Sequence, residues 1–459
     1  MELLDTIAAI STPIGNGGVG VIRISGDSAL EICKNFVKTA NLDLSDISDR
    51  TMNFCKIFSS DGSQIDEALF CIFRAPNSYT GENVIELFCH GGYVLCSNVV
   101  KSAIFYGARQ AKQGEFTKRA FLNGKLNLSK SEAIADLIHA KTDHEVKISA
   151  GNLRGNLDDK IQKIKDEILK ITSQILANID FPDEDIDEVT YHNIDSVLKK
   201  IVQDVTNLLS TSKSGNIIKN GVNIAIVGAP NVGKSSLLNA IVCENRAIVT
   251  DIPGTTRDII VEQVNLNGYL FNFYDTAGIH DNWRDEIERI GIQLSEKAID
   301  SAQVVLFIVD ISRNITNQEL DLLKNIKTRK PVVILNNKCD IQTHFCNDSR
   351  LVELNKNQLD ISALTGIGID KLGDVLVDIL NLKSINLQEP IICNPRHENI
   401  LLRSHSLLNE TLELIGNRVP IDVCLDNLEE CLQVLGEFQG QSVSDIIIKD
   451  IFSRFCVGK

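Results

Sequence analysis

Residues 228–236 read GAPNVGKSS, and how this stretch is read decides the architecture of the middle of the chain. It fits G-x-x-x-x-G-K-[ST]. It follows an apolar run, expected as a strand over 222–227, and opens a helix with apolar periodicity, the context that gives the motif meaning. Gly228 and Gly233 let backbone N–H groups wrap phosphate oxygens. Lys234 supplies a point charge to the β- and γ-phosphates, and Ser235 offers its hydroxyl to Mg²⁺. Asn231, Val232 and Ser236 complete the phosphate-binding stretch.

Three further motifs follow in order. DTAG (275–278) ends a second strand, placing Asp275 near the metal and Gly278 near the γ-phosphate, with Thr276 and Ala277 between. NKCD (337–340) follows the run VVILN and brings Asn337, Lys338 and Asp340. The Asp340 carboxylate can accept from both N1–H and the exocyclic amine of guanine, an arrangement adenine cannot match. Ser362, Ala363 and Leu364 complete a base-binding loop. The expected chemistry is GTP hydrolysis. The residue after DTAG is Ile279, which cannot orient water as the glutamine of Ras-like enzymes does. Another group must position the water, and another charge must replace an arginine finger, a device worth roughly 10³ to 10⁵ in rate.

Working outward, residues 216–380 alternate short apolar runs with helical patterns, which predicts an inserted Ras-like α/β domain with a mostly parallel sheet. Residues 1–120 carry strand-like runs such as GVGVIRISG and predict an α+β domain. Ile161, Ile164, Ile168, Ile171, Ile175 and Ile179 mark one face of a long helix that the acidic FPDEDIDE (181–188) should end. Val197, Ile201, Val205 and Leu208 mark a second helix, and STSKSGN (210–216) reads as a linker. Leu425, Leu428, Leu432 and Leu435 restore the helical period. The two helical stretches, 121–215 and 381–459, are expected to build one all-α domain from which the insert projects, within a multidomain α+β and α/β protein.

The formal charge is −15, so contact with nucleic acid would need a local basic patch or a partner. MELLDTIAAI lacks the basic start of a secretory signal, and no apolar run reaches membrane-spanning length. Twelve cysteines without any C-x-x-C pair suit a reducing cytoplasm and mostly core positions. Gly15, Gly17 and Gly20 satisfy G-x-G-x-x-G but precede a strand pattern, so a dinucleotide site is not expected. His90, in CHGG, reads as a turn residue with a partner rather than a metal ligand.

TDIPGTTRD (250–258), together with Asn231, resembles the translation-associated GTPases activated by potassium. The resemblance implies that Asn231, Thr250, Ile252 and Thr255 hold K⁺ in a loop that also contains Asp251, Pro253 and Gly254, while Thr256 joins Ser235 on Mg²⁺. Ribosome-assembly GTPases share this much, and a GTP-switched assembly factor is the alternative; it would carry a basic RNA-binding domain. The flanks favour another group. DTIAAISTPIGNGGVGVIRISG (5–26), SYTGENVIELFCHGG (78–92), GEFTKRAFLNGKLNLSKSEAI (114–134) and the terminal CVGK (456–459) resemble the tRNA modification GTPase family MnmE/TrmE.

That family installs a 5-carboxymethylaminomethyl or aminomethyl group on wobble uridine. The resemblance implies a folate-binding N-terminal domain that forms a homodimer, a tetrahydrofolate derivative (formyl or methylene), and a flavoenzyme partner of the MnmG (GidA) type in a heterotetramer. By position it assigns folate contacts to Arg23, Glu86, Lys125 and Lys459. It gives water activation to a glutamate in DEIERIG, matching Glu288 with Glu286 as the other candidate. Ile447, Ile451 and Phe455 predict a last helix that leaves Cys456 on a flexible Val-Gly-Lys. By resemblance the tail returns to the folate site, with Cys456 near the one-carbon unit; the bland alternative is a buried apolar thiol.

Overall fold

The computed structural model describes residues 5–39, 43–180, 191–245, 261–275, 296–341, 349–354 and 356–459. The chain divides into two compact units, one of residues 1–138, 152–189 and 418–459, the other of 139–151 and 190–417.

The first unit is built on a seven-stranded sheet. Its strands are β1 (Ile7–Ile10), β2 (Gly17–Ser25), β3 (Val37–Lys38), β4 (Asn53–Phe58), β5 (Gln64–Phe73), β6 (Val84–Gly91) and β7 (Arg109–Gln110), in the order β3-β4-β5-β6-β2-β1-β7. Every pairing is antiparallel except β1 with β7. Alternation along β2 sends Ile22 and Ile24 into a core with Phe36, Phe70, Leu87 and Val99, under the helices Ala29–Phe36 and Tyr93–Phe105. Arg23, between them, faces the other side, where Ile7, Ala9, Ala111 and Phe116 form a smaller core with Tyr79 against it. The glycine-rich stretch runs into β2 as expected, with a bulge between Gly17 and Val19. His90 lies in β6 rather than in the expected turn, and its Nδ1 stands 2.7 Å from Asp66 Oδ1, so it has its partner.

In the same unit the long helix spans Asn156–Asp180 and packs on Val423–Gly436. Ile161 to Ile175 are buried as expected, but Ile179 is 47% exposed. The reason is length: the partner helix has 14 residues against 25, about 21 Å against about 38 Å. On that partner the buried face is Cys424, Leu428, Cys431 and Leu435, with Leu425 and Leu432 at its margins. The acidic stretch 181–188 lies outside the described residues.

In the second unit, Tyr191–Ser210 packs on Pro395–Gly416 through Ile194, Leu198, Ile201, Val205 and Leu208, with Leu198 taking the place expected for Val197. The expected linker is corrected to a helix, Ser212–Asn220. Gly215 is there for close approach rather than for flexibility, because a Cβ would stand 2.0 Å from the Ile392 carbonyl oxygen. A six-stranded sheet follows: β8 (Val222–Gly228), β9 (Val261–Leu266), β10 (Tyr269–Asp275), β11 (Val304–Asp310), β12 (Val332–Asn337) and β13 (Gln358–Asp360). The order is β13-β12-β11-β8-β10-β9, parallel throughout except for the edge strand β9. All seven residues of β11 are buried, as a strand covered on both faces requires. This is the expected Ras-like architecture.

Among the described residues seven thiols are buried, including Cys424 and Cys431, and burial pushes the Cys55 thiol up to about 12. These are packing residues. No helix among the described residues is long and apolar enough to cross a membrane.

Candidate functional site

The motif GAPNVGKSS forms the turn between β8 and the helix Lys234–Asn245. Gly228 must be glycine, since a Cβ would stand 2.6 Å from the Ile308 carbonyl oxygen of β11. Asn231 holds φ +64° and Gly233 φ +101°, so the loop folds back on itself and gathers its amides. A left-handed backbone is itself a reason for asparagine at 231. Val232 is fully buried in the sheet core, so only its backbone can serve a ligand. Lys234 bridges the loop, with Nζ donating to the Gly228 and Ala229 carbonyls at 3.0 and 2.9 Å. Ser235 and Ser236 are exposed in the first helical turn, where N–H groups and the helix dipole favour an anion.

Asn337, at the end of β12, joins two loops to this turn. Asn337 is buried; its Nδ2 donates to the Val232 carbonyl at 2.7 Å and its Oδ1 accepts from the Ala363 amide at 2.9 Å. It therefore ties the turn after β8 to the loop of residues 362–364. Ser362 is buried, with Oγ accepting from the Thr365 amide at 3.2 Å. Leu364 is 86% exposed, and Asp340, on the loop after β12, is exposed as well. Lys338 pairs with Asp310 at 2.6 Å. Asp310 escaped the sequence reading; its signal is an acidic residue closing the apolar run LFIVD at the carboxyl edge of a parallel sheet, where such folds bind ligands.

Asp275 ends β10 at the register position opposite Ile226 of β8. Thr250, Asp251, Ile252, Pro253, Gly254, Thr255 and Thr256, then Thr276, Ala277, Gly278 and both Glu286 and Glu288, lie outside the described residues.

A second constellation forms in the first unit. Arg23 on β2 and Glu86 on β6 are register partners, and Arg23 Nε and Nη2 both approach Glu86 Oε1 at 2.8 Å. The pair leaves Oε2 and Nη1 unused in this contact. The Arg23 guanidinium sits 5.2 Å from the Tyr79 ring centroid and 5.6 Å from that of Phe116, so two aromatic faces orient it. Neither ring was singled out by sequence, because nothing in local spacing brings positions 79 and 116 to position 23. Lys125 lies along the loop that carries Tyr79: its Nζ donates to the Pro76 carbonyl at 3.0 Å, and its stem lies beside Gly81.

The C-terminal residues come to the same strands. The last helix, Asp445–Ser453, ends earlier than expected, and Phe455 beyond it packs with Leu128, Ile451 and Phe452. The remaining tail is not loose. Val457 bridges to Gln113, Ser11 Oγ donates to the Gly458 carbonyl at 3.0 Å, and a Cβ at Gly458 would stand 2.1 Å from the Ile10 carbonyl oxygen. Ile10 follows Ala9, the register partner of Arg23. Cys456 is exposed, which removes the reading of a buried core thiol. Lys459 is half-buried beside it. The structure thus brings Arg23 together with Glu86, seats the tail one residue from Arg23's partner, and lays Lys125, from the turn after the helix Glu115–Leu122, against the loop that carries Tyr79.

Two family models match the chain: one described as the GTP-binding protein TrmE N-terminus, over residues 6–125, and one described as the MnmE helical domain, over residues 128–456. Relatives described as tRNA modification GTPase MnmE align end to end. That of Thermoanaerobacter pseudethanolicus is 40% identical, covering 100% of both chains. That of Clostridioides difficile is 38% identical with the same coverage, and that of Lactobacillus helveticus is 36% identical over 99% of this chain and 98% of its own. Among solved structures, an Aquifex aeolicus Era bound to GDP and AlF₄⁻ is 25% identical over 40% of this chain and 65% of its own, at a TM-score of 0.28.

Proposed function

Since the chain belongs to the MnmE family of tRNA modification GTPases, we propose that it couples potassium-activated GTP hydrolysis to delivery of a folate one-carbon unit onto wobble uridine. GTP binds at the turn after β8, with Lys234 on the β- and γ-phosphates and Asp340 on guanine. The exposed Ser235 suits Mg²⁺, with Thr256 as its companion. Asn231 suits K⁺, with Thr250, Ile252 and Thr255 as its companions. The cation supplies the positive charge that an arginine finger supplies elsewhere. Glu288 orients the water.

The observation that carries the folate reading is the tail seated against β1, beside the Arg23–Glu86 pair. That pair fits a folate. The unused Glu86 oxygen can accept from a pterin donor edge, Arg23 keeps donors for a carboxylate, and Lys125 and Lys459 add charge for the glutamate tail. Cys456 is exposed, which suits a thiol that acts on a bound one-carbon unit. The product is the 5-carboxymethylaminomethyl or aminomethyl group. The N-terminal region forms the homodimer, and a flavoenzyme of the MnmG type completes a heterotetramer in the cytoplasm.

Calorimetric titration with 5-formyltetrahydrofolate tests the site. Binding should be lost in Arg23→Ala and Glu86→Ala while GDP binding is retained. Equal folate affinity in both variants would place the folate elsewhere.

A further inference from the structure

β11 delivers Asp310 to the carboxyl edge of the parallel sheet, with its side chain only 8% exposed. Each carboxylate oxygen has an assigned partner. Oδ1 accepts from the Ser312 amide at 3.0 Å and from the Ser312 hydroxyl at 2.6 Å, and Oδ2 meets Lys338 Nζ at 2.6 Å. Burial pushes the Asp310 carboxyl up, but Lys338 and the Ser312 donors outweigh it and hold the group below the usual value. The backbone fixes the two loops together as well. Asp310 is the register partner of Asn337, and the Ile311 amide donates to the Asn337 carbonyl at 3.2 Å. Lys338 holds φ +70°, so its side chain leaves the loop in a direction set by that strained backbone.

A lysine stem loses much rotamer freedom when ordered. Anchoring its ammonium to a buried carboxylate settles that loss before any ligand arrives, and turns the methylenes rather than the charge toward a neighbour. We propose that Asp310 is a positioning residue for guanine nucleotide. Its carboxylate holds Lys338 so that the aliphatic stem lies along the face of the base whose edge Asp340 reads. The inference rests on Lys338 belonging to the base loop.

The full-length protein tests both steps, with fluorescent GDP for affinity and steady-state GTP hydrolysis for turnover. Asp310→Asn keeps the shape and removes the charge; Lys338→Ala removes the stem. Each should weaken GDP binding about 10-fold, and the double variant also about 10-fold rather than about 100-fold, because both act through one stem. Asp310→Asn should raise KM and leave kcat at saturating GTP within about twofold. Multiplied losses in the double variant, or a fallen kcat at unchanged KM, would overturn the role of Asp310. Wild-type GDP affinity in Lys338→Ala would instead remove Lys338 from the base loop, and the inference with it. Weakened binding in Lys338→Ala beside normal binding in Asp310→Asn would sink the inference alone.

Discussion

Gly458 and Cys456 are two residues apart, and the structure gives them opposite tasks. Gly458 holds φ +98°, and a Cβ there would collide with the Ile10 carbonyl, so both conformation and space require glycine. Cys456 is exposed, unlike the buried thiols of the sheet core. Gly458→Ala should free the tail, and Cys456→Ser should keep it seated but remove the sulfur. Wobble-uridine modification should be lost in both, with GTP hydrolysis near wild type; only Gly458→Ala should make the last residues sensitive to carboxypeptidase. Normal modification by Cys456→Ser would leave the tail as packing. Motif residues such as Lys234 and Asn337 were legible because spacing alone specifies them. Asp310 was not, since one aspartate after an apolar run is common and its partner lies 28 residues away. Tyr79 and Phe116 were hidden for the same reason.

The helix Ser212–Asn220 shows where element reading fails. Serine, lysine and glycine resemble a linker, yet the segment buries Ile218 and lays Gly215 on the Ile392 carbonyl. Local propensity is a weak prior, and a tertiary contact overrode it. Gly215→Val should therefore lower stability by about 1 to 3 kcal/mol, because a branched side chain meets backbone that must move. A thermal melt checks this; an unchanged midpoint would mean the helix shifts freely. Strongly periodic elements read well, as Ile161 through Ile175 show. The failure at Ile179 arose because periodicity says which face is apolar but not how far the partner extends.

Across the whole chain, the alternating runs between residues 216 and 380 foretold a parallel sheet, and the helical stretches before and after them were visible as periods. Their pairing was less legible. Asn156–Asp180 finds Val423–Gly436, and Tyr191–Ser210 finds Pro395–Gly416, contacts between segments about 200 or more residues apart that no local pattern encodes. A cation at Asn231 would be shared with Thr250, Ile252 and Thr255, which follow it by 19 to 24 residues in the chain. GTP hydrolysis should be markedly faster in KCl than in NaCl at equal ionic strength, and equal rates would remove the cation from the mechanism. We propose above all that this GTPase serves wobble-uridine modification through a one-carbon unit. Mass spectrometry of tRNA nucleosides from cells lacking the protein tests it most directly. Those cells should lose 5-carboxymethylaminomethyl- and aminomethyl-type uridines from the wobble position, and an unchanged nucleoside profile would overturn the proposal.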